Sequence, residues 1–114
     1  MYSFEAHLRR AERNELFARS ISPVEQPEWK VIVTFYSALH YVEAGVVRAG
    51  YRSSDHASRA FHLRAIRGLR NAARAYLILS NHASEARYNP NVDLSRGVQP
   101  ICDLLQSIKR SLSL

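Results

Sequence analysis

The sequence predicts an all-α domain, a four- or five-helix up-and-down antiparallel bundle. Apolar residues recur at helical spacing over several long stretches, while strict apolar–polar alternation is rare. The four glycines are scattered. Short connections carrying Pro, Ser or Asn separate the stretches, which places successive helices antiparallel. A length of 114 residues fits a single domain, 1–114, and 46% apolar residues suffice for a core.

The first helix is expected from about Ser3, its N-cap, to about Arg19. His7, Ala11, Asn14 and Ala18 share one face, with Phe4 and Phe17 beside it. "SISPVEQP" then breaks the helix with two prolines. The second helix is expected from about Pro27, suited to a first turn, to Ala49. It carries two stripes: Ile32, Phe35, Leu39, Val42 and Val46, and then Trp29, Val33, Tyr36, His40, Glu43 and Val47. Lys30, Thr34, Ser37, Tyr41 and Arg48 fill the remaining arc. An apolar arc this wide belongs at the centre of a bundle or against a partner chain.

Ser54 or Asp55 caps a third helix that begins near His56 and runs to about Ser80, bending at Gly68. Ile66, Leu69, Ala73 and Tyr76 form its core stripe, and Arg67, Arg70 and Arg74 lie beside it within an arc of about 60°. "SEARYNPNVD" reads as a turn. The last helix, about Gly97 to Ser113, presents Val98, Ile101, Leu105, Ile108 and Leu112, and Pro100 fits only its first turn.

Lys plus Arg number 16 against 10 Asp plus Glu, a formal charge of +6, and only Lys30 and Lys109 are lysines. Arginine favours planar, paired contacts with carboxylate or phosphate, so the balance points to an anionic partner; a GC-rich genome would also enrich arginine. The single cysteine, Cys102, excludes an internal disulfide and suits a reducing cytoplasm. It lies at the edge of an apolar stripe and reads as inert core. "MYSFEAHLRR" is too charged for a signal peptide, and no apolar run approaches the ~20 residues of a membrane span. Walker, Gly-rich nucleotide, zinc-finger, prenylation and Gly-x-Ser-x-Gly patterns are absent, and no cofactor is implied.

"WKVIVTFYSALHYVEAGV", "HASRA" and "YLILSNHASEARY" together resemble the small bacterial proteins of the HEPN superfamily (higher eukaryotes and prokaryotes nucleotide-binding). The resemblance covers about residues 4 to 112. It rests on Trp29, Phe35, Tyr36, Ala38, Leu39, His40, Tyr41, Val42 and Ala44, then His56 and Arg59, then Tyr76, Leu79, Ala86, Arg87 and Tyr88. It implies an all-α bundle of HEPN-like type, often a homodimer, linked to toxin–antitoxin, phage-defence or RNA-cleavage systems. Catalytic members use an Arg-x4–6-His motif paired across the dimer. This chain departs from that pattern: Arg52 precedes His56 by four and Arg59 precedes His62 by three, both too close, and "RNAARAYL" has no histidine at the required place.

His40 and Glu43, three residues apart, are the first candidate pair. Glu43 would fix the imidazole tautomer and raise its pKa, making a general base, or the pair would brace two helices with help from Tyr36, Arg59 or Arg87. A metal is not expected, because His-x-x-Glu occurs once and di-metal bundles need several converging carboxylates. His56 and Arg59 share a face and read as a phosphate contact, a divergent catalytic pair, or a helix start with an Arg59–Glu43 ion pair. If buried, that ion pair would cost about 3–5 kcal/mol to break from one side. Arg67, Arg70 and Arg74 could follow a phosphate backbone or form a solvated face. Arg87 could contact an anionic ligand or cap the preceding helix while Tyr88 packs.

The expectation is a cytoplasmic HEPN-like module, a homodimer through the second or last helix, binding a protein partner or an anionic RNA or nucleotide ligand. The alternative is a metal-independent ribonuclease that uses His40, Glu43, His56 and Arg59.

Overall fold

The computed structural model describes residues 2–114. Five α-helices fold into a bundle: α1 Phe4–Ser20, α2 Pro27–Arg48, α3 His56–Ala65, α4 Arg70–Tyr88 and α5 Gln99–Ser111. Local chemistry sets their starts. Ser3 Oγ accepts the Ala6 N–H and caps α1, and Pro27 occupies the first turn of α2. Asp55 and Ser58 form a reciprocal capping box at α3: each side chain accepts the other's backbone N–H, at 2.8 Å and 3.1 Å. Gly97, with φ of 86°, supplies the left-handed turn before α5.

The third helix is shorter than expected. Ile66 is extended, with φ −82° and ψ 119°, and ends α3 before Gly68. A single 3-10 turn, Arg67–Leu69, leads into α4. In place of a bend there is a full break. The expected turn at "SEARY" is instead helix as far as Tyr88. The true punctuation is Asn89-Pro90, since a residue before proline is pushed out of the helical region.

α2 lies at the centre and packs on α1, α3, α4 and α5. Val31, Phe35, Ala38, Val42 and Val46 are fully buried along it. Within the remaining arc, Thr34, Ser37 and Tyr41 are buried too, whereas Arg48 is exposed. Ser37 Oγ donates to the Ala11 carbonyl at 2.8 Å, Thr34 Oγ1 donates to its own helix at Lys30 O, and Tyr41 OH donates to Glu15 at 2.6 Å. Hydroxyls tolerate burial once each has a partner. The second stripe is covered unevenly, with Trp29 55% and Tyr36 40% exposed and Glu43 buried.

Contacts between α1 and α2 run in opposite numerical order: Ala18 with Lys30, Ala11 with Ser37, His7 with His40. The two helices are therefore antiparallel. The connection after α2 does not simply alternate direction. It folds back so that Glu43 accepts the Ser53 N–H and His56 lies 6.2 Å from the Phe35 ring. α3 thus starts beside the middle of α2. At Gly45 a Cβ would come within 3.2 Å of Leu112 and 3.4 Å of Leu69, so its bare backbone lets the end of α5 and the 3-10 turn close on α2.

The α5 stripe of Val98, Ile101, Leu105, Ile108 and Leu112 is buried inside the chain. Together with the covering of α2, this accounts internally for the two apolar surfaces that pointed to a second copy. The radius of gyration, 13.6 Å, is that of a compact chain, about 13 Å at this length. No described helix is long and apolar enough to cross a membrane.

A buried carboxylate joins both ends of the chain. Glu15 on α1 receives Tyr41 OH from α2 at 2.6 Å, and from α5 Lys109 Nζ at 2.9 Å and Gln106 Nε2 at 3.0 Å; Arg19 adds an i,i+4 bond at 2.8 Å. Burial pushes the Glu15 pKa up, but these donors outweigh it and hold it at about 2. Burial, followed by the bond to that carboxylate, drives the Tyr41 hydroxyl well above its ordinary range. Glu15→Ala, which leaves Lys109 and Tyr41 unanswered, is expected to cost about 3–5 kcal/mol in urea unfolding. Glu15→Leu combined with Lys109→Met should cost clearly less, and equal losses for the two would refute a charge-centred knot.

Candidate functional site

The antiparallel pairing of α1 and α2 places His7 against His40 near the open end of their seam. Their Nδ1 atoms are 3.1 Å apart, and the rings stack at 5.3 Å with an interplanar angle of 29°. One Nδ1 must donate and the other accept, so the contact requires at least one neutral ring. Both imidazoles are half-buried. Burial, then His7, Arg10 and Arg59, push His40 down to about 4, with Glu43 pulling the other way. His7 is lowered by burial first; Glu43 opposes this, and Arg59 and Arg52 add to it. The rise expected for His40 from Glu43 is thus reversed.

The pair floors a cleft of about 370 Å³ with Tyr2, Arg9, Arg10 and Arg13 around it. Tyr2 sets its ring edge-on to His7 at 6.0 Å, and Arg52 holds the Tyr2 carbonyl at 2.9 Å. Arg9, Arg10 and Arg13 are exposed. All three line the cleft, and the ion pairs of the described residues use other cations, Arg19, Arg59 and Lys109.

Behind His40 lies a closed polar cluster. Glu43 and Arg59 are 4% and 8% exposed and meet at 3.4 Å, which joins α2 to α3. The other Glu43 oxygen takes the Ser53 N–H at 2.7 Å. With its carboxylate so engaged, Glu43 makes no hydrogen bond to His40. Arg59 Nη1 stands 3.4 Å from His56 Nδ1, and Ser53 Oγ lies 3.2 Å from His62 Nδ1. Of the four candidate catalytic residues, Glu43 and Arg59 come together with His56 at their edge. His40 turns to His7 and the α1/α2 cleft, whereas exposed His56 lines a groove between α3 and α4.

Arg67, Arg70 and Arg74 are exposed, but the 3-10 turn separates Arg67 from the other two. Arg87 makes no capping bond. Its guanidinium lies over Tyr88, Phe35 and Tyr36 at 5.3, 5.6 and 5.9 Å, and its Nε has no partner. Among the described residues no three His, Cys, Asp or Glu side chains converge as ligands for an ion.

Sequence reasoning missed the role of His7, Arg9, Arg10 and Arg13. The available signal was "HLRRAER", where spacings of three between His7, Arg10 and Arg13 gather them on one side of a helix. No family model, characterised protein or solved structure matches the chain.

The imidazole pair makes stability depend on pH. A histidine depressed in the folded chain binds fewer protons there than when unfolded, so its contribution is complete above 6.5 and is lost as pH falls toward about 4. Glu15 acts lower, losing its contribution as pH falls from 4.5 to about 2. The double variant His7→Gln/His40→Gln should flatten the upper limb of the melting temperature against pH and keep the lower one. An unchanged upper limb would show that the pair has no such linkage.

Proposed function

We propose that this chain is a HEPN-like helical module that binds a phosphate-bearing ligand, single-stranded RNA or a nucleotide, in the cleft between α1 and α2. The observation that carries this reading is the convergence of Arg9, Arg10 and Arg13 on the stacked His7–His40 pair. Guanidinium groups give paired contacts to phosphate oxygens, and Tyr2 offers an exposed ring for a base to stack on. The neutral imidazoles hold a proton site in reserve: an anion in the cleft favours the charged form, so binding is coupled to proton uptake. The HEPN resemblance points the same way, toward nucleotide or RNA ligands and toxin–antitoxin or phage-defence settings. The half-buried Cys102 thiol, raised by burial, suits a reducing cytoplasm.

Binding is favoured over cleavage because the proposed catalytic residues do not share an opening. Glu43 and Arg59 are shut in, and His40 and His56 face different surfaces. The ribonuclease alternative is an outcome of the same test.

Fluorescein-labelled single-stranded RNA serves as the probe, because phosphodiesters keep their charge across the pH range used. Affinity is expected to fall with salt, and Arg9→Ala/Arg13→Ala should reduce the log–log slope by about 0.7 for each phosphate that the variant no longer neutralises. Between pH 6.5 and about 4 the wild type should tighten on acidification, by at most about tenfold per pH unit for each proton taken up. His7→Gln/His40→Gln should lose that trend. A slope lowered by Arg70→Ala/Arg74→Ala and untouched by the α1 variants would move the site to α4. Cleavage by the wild type that disappears in His56→Ala or Arg59→Ala would replace binding with catalysis.

A further inference from the structure

Another opening of the molecule contrasts with the α1/α2 cleft in chemistry. Between α3 and α4 runs a groove of about 440 Å³, predominantly apolar, in the size range of ligand sites. Ala57 and Ala60 line it from α3, Ala73 and Leu77 from α4, and Arg64 and Arg74 stand one on each helix at its margin. The spacing of three and four residues along each helix extends the trough over about two helical turns. Alanines keep its floor low, and Leu77, 55% exposed, leaves an apolar surface without cover. Arg67 and Arg70, both exposed, extend the basic margin into the α3–α4 turn.

We infer that this groove seats an amphipathic helix of a different protein, with apolar anchors at i, i+3 or i+4 and i+7 and acidic residues on both flanks. A helix laid between two helices packs by the same ridge-and-groove contacts as the bundle itself, at about 8–10 Å. Its anchors meet the alanine floor and Leu77, and its carboxylates meet Arg64 and Arg74. Charge decides the occupant. A second copy related by a two-fold axis would set the same patch on itself and bring these arginines against their own counterparts. The whole chain, at +6, adds to that repulsion. An acidic partner removes it, and charge of that sign speeds encounter and sets register. This inference is independent of the α1/α2 cleft.

The test uses the full chain, isotopically labelled, and two labelled synthetic helices of about 14 residues. Both carry leucine anchors; one has glutamate flanks and the other lysine. The glutamate helix should bind at least about tenfold more tightly and shift the amide signals of Ala57, Ala60, Ala73 and Leu77. Arg64→Glu/Arg74→Glu should reverse the preference. Leu77→Asp, at an exposed position and with unchanged circular dichroism, should abolish binding of either. No binding, equal binding of the two peptides, or signal shifts centred on α1 would overturn the proposal. A concentration-dependent dimer that Leu77→Asp dissolves would also overturn it, assigning the face to a second copy.

Discussion

The fold depends on a seam between α1 and α2 in which polar groups are buried and answered. Lys30 Nζ reaches the Ala18 and Ile21 carbonyls at the end of α1, Ser37 reaches Ala11, and Tyr41 reaches Glu15. Small side chains, Ala11 and Ala18, let the backbones approach closely enough for these bonds. An apolar seam would have tolerated sliding by a residue or two. This one does not, because each donor has its acceptor at one register and a buried orphan costs about 1–3 kcal/mol.

Fixed register is what creates the site. The same antiparallel phase that aligns Ser37 with Ala11 brings His7 over His40 one turn further along. One turn further along α2, Glu43 is committed to Arg59 and Ser53, which anchors the start of α3 and keeps both charged groups from solvent. The molecule thus separates two uses of ionisable groups. Those between α2 and α3 hold helices in place. Those at the α1 end of the seam remain accessible, with a surplus of positive charge around them.

Much of this architecture was legible in the residues themselves. The cap at Ser3, the first-turn proline of α2 and the α5 stripe follow from short-range spacing. The residues narrow the α3 cap to Ser54 or Asp55, and it is Asp55; the Glu43–Arg59 ion pair, one of the alternatives that charge complementarity offers, is formed. What escaped was non-local. The hydroxyls of Ser37 and Tyr41 are buried because a carbonyl and a carboxylate of α1 satisfy them, while that of Thr34 is satisfied within its own helix. The contact of His7 with His40 spans 33 residues and leaves no periodic trace. At Ile66 the apolar pattern of the sequence continues through a break in the helix, after which Leu69 is buried close to Gly45.

The Glu15 knot also has a consequence in time. Tyr41 and Arg19 lie on the first two helices, whereas Lys109 is 94 residues downstream. A chain emerging from the ribosome in N-to-C order can form the α1/α2 hairpin long before it has synthesised the α5 donors, Gln106 and Lys109, that complete the shell of that carboxylate. Until then Arg19 is the one cation paired with that carboxylate, and the side that α5 will cover lacks its donors. The hairpin is thus a template awaiting its closing segment, and the bundle cannot shut until the ribosome has delivered α5.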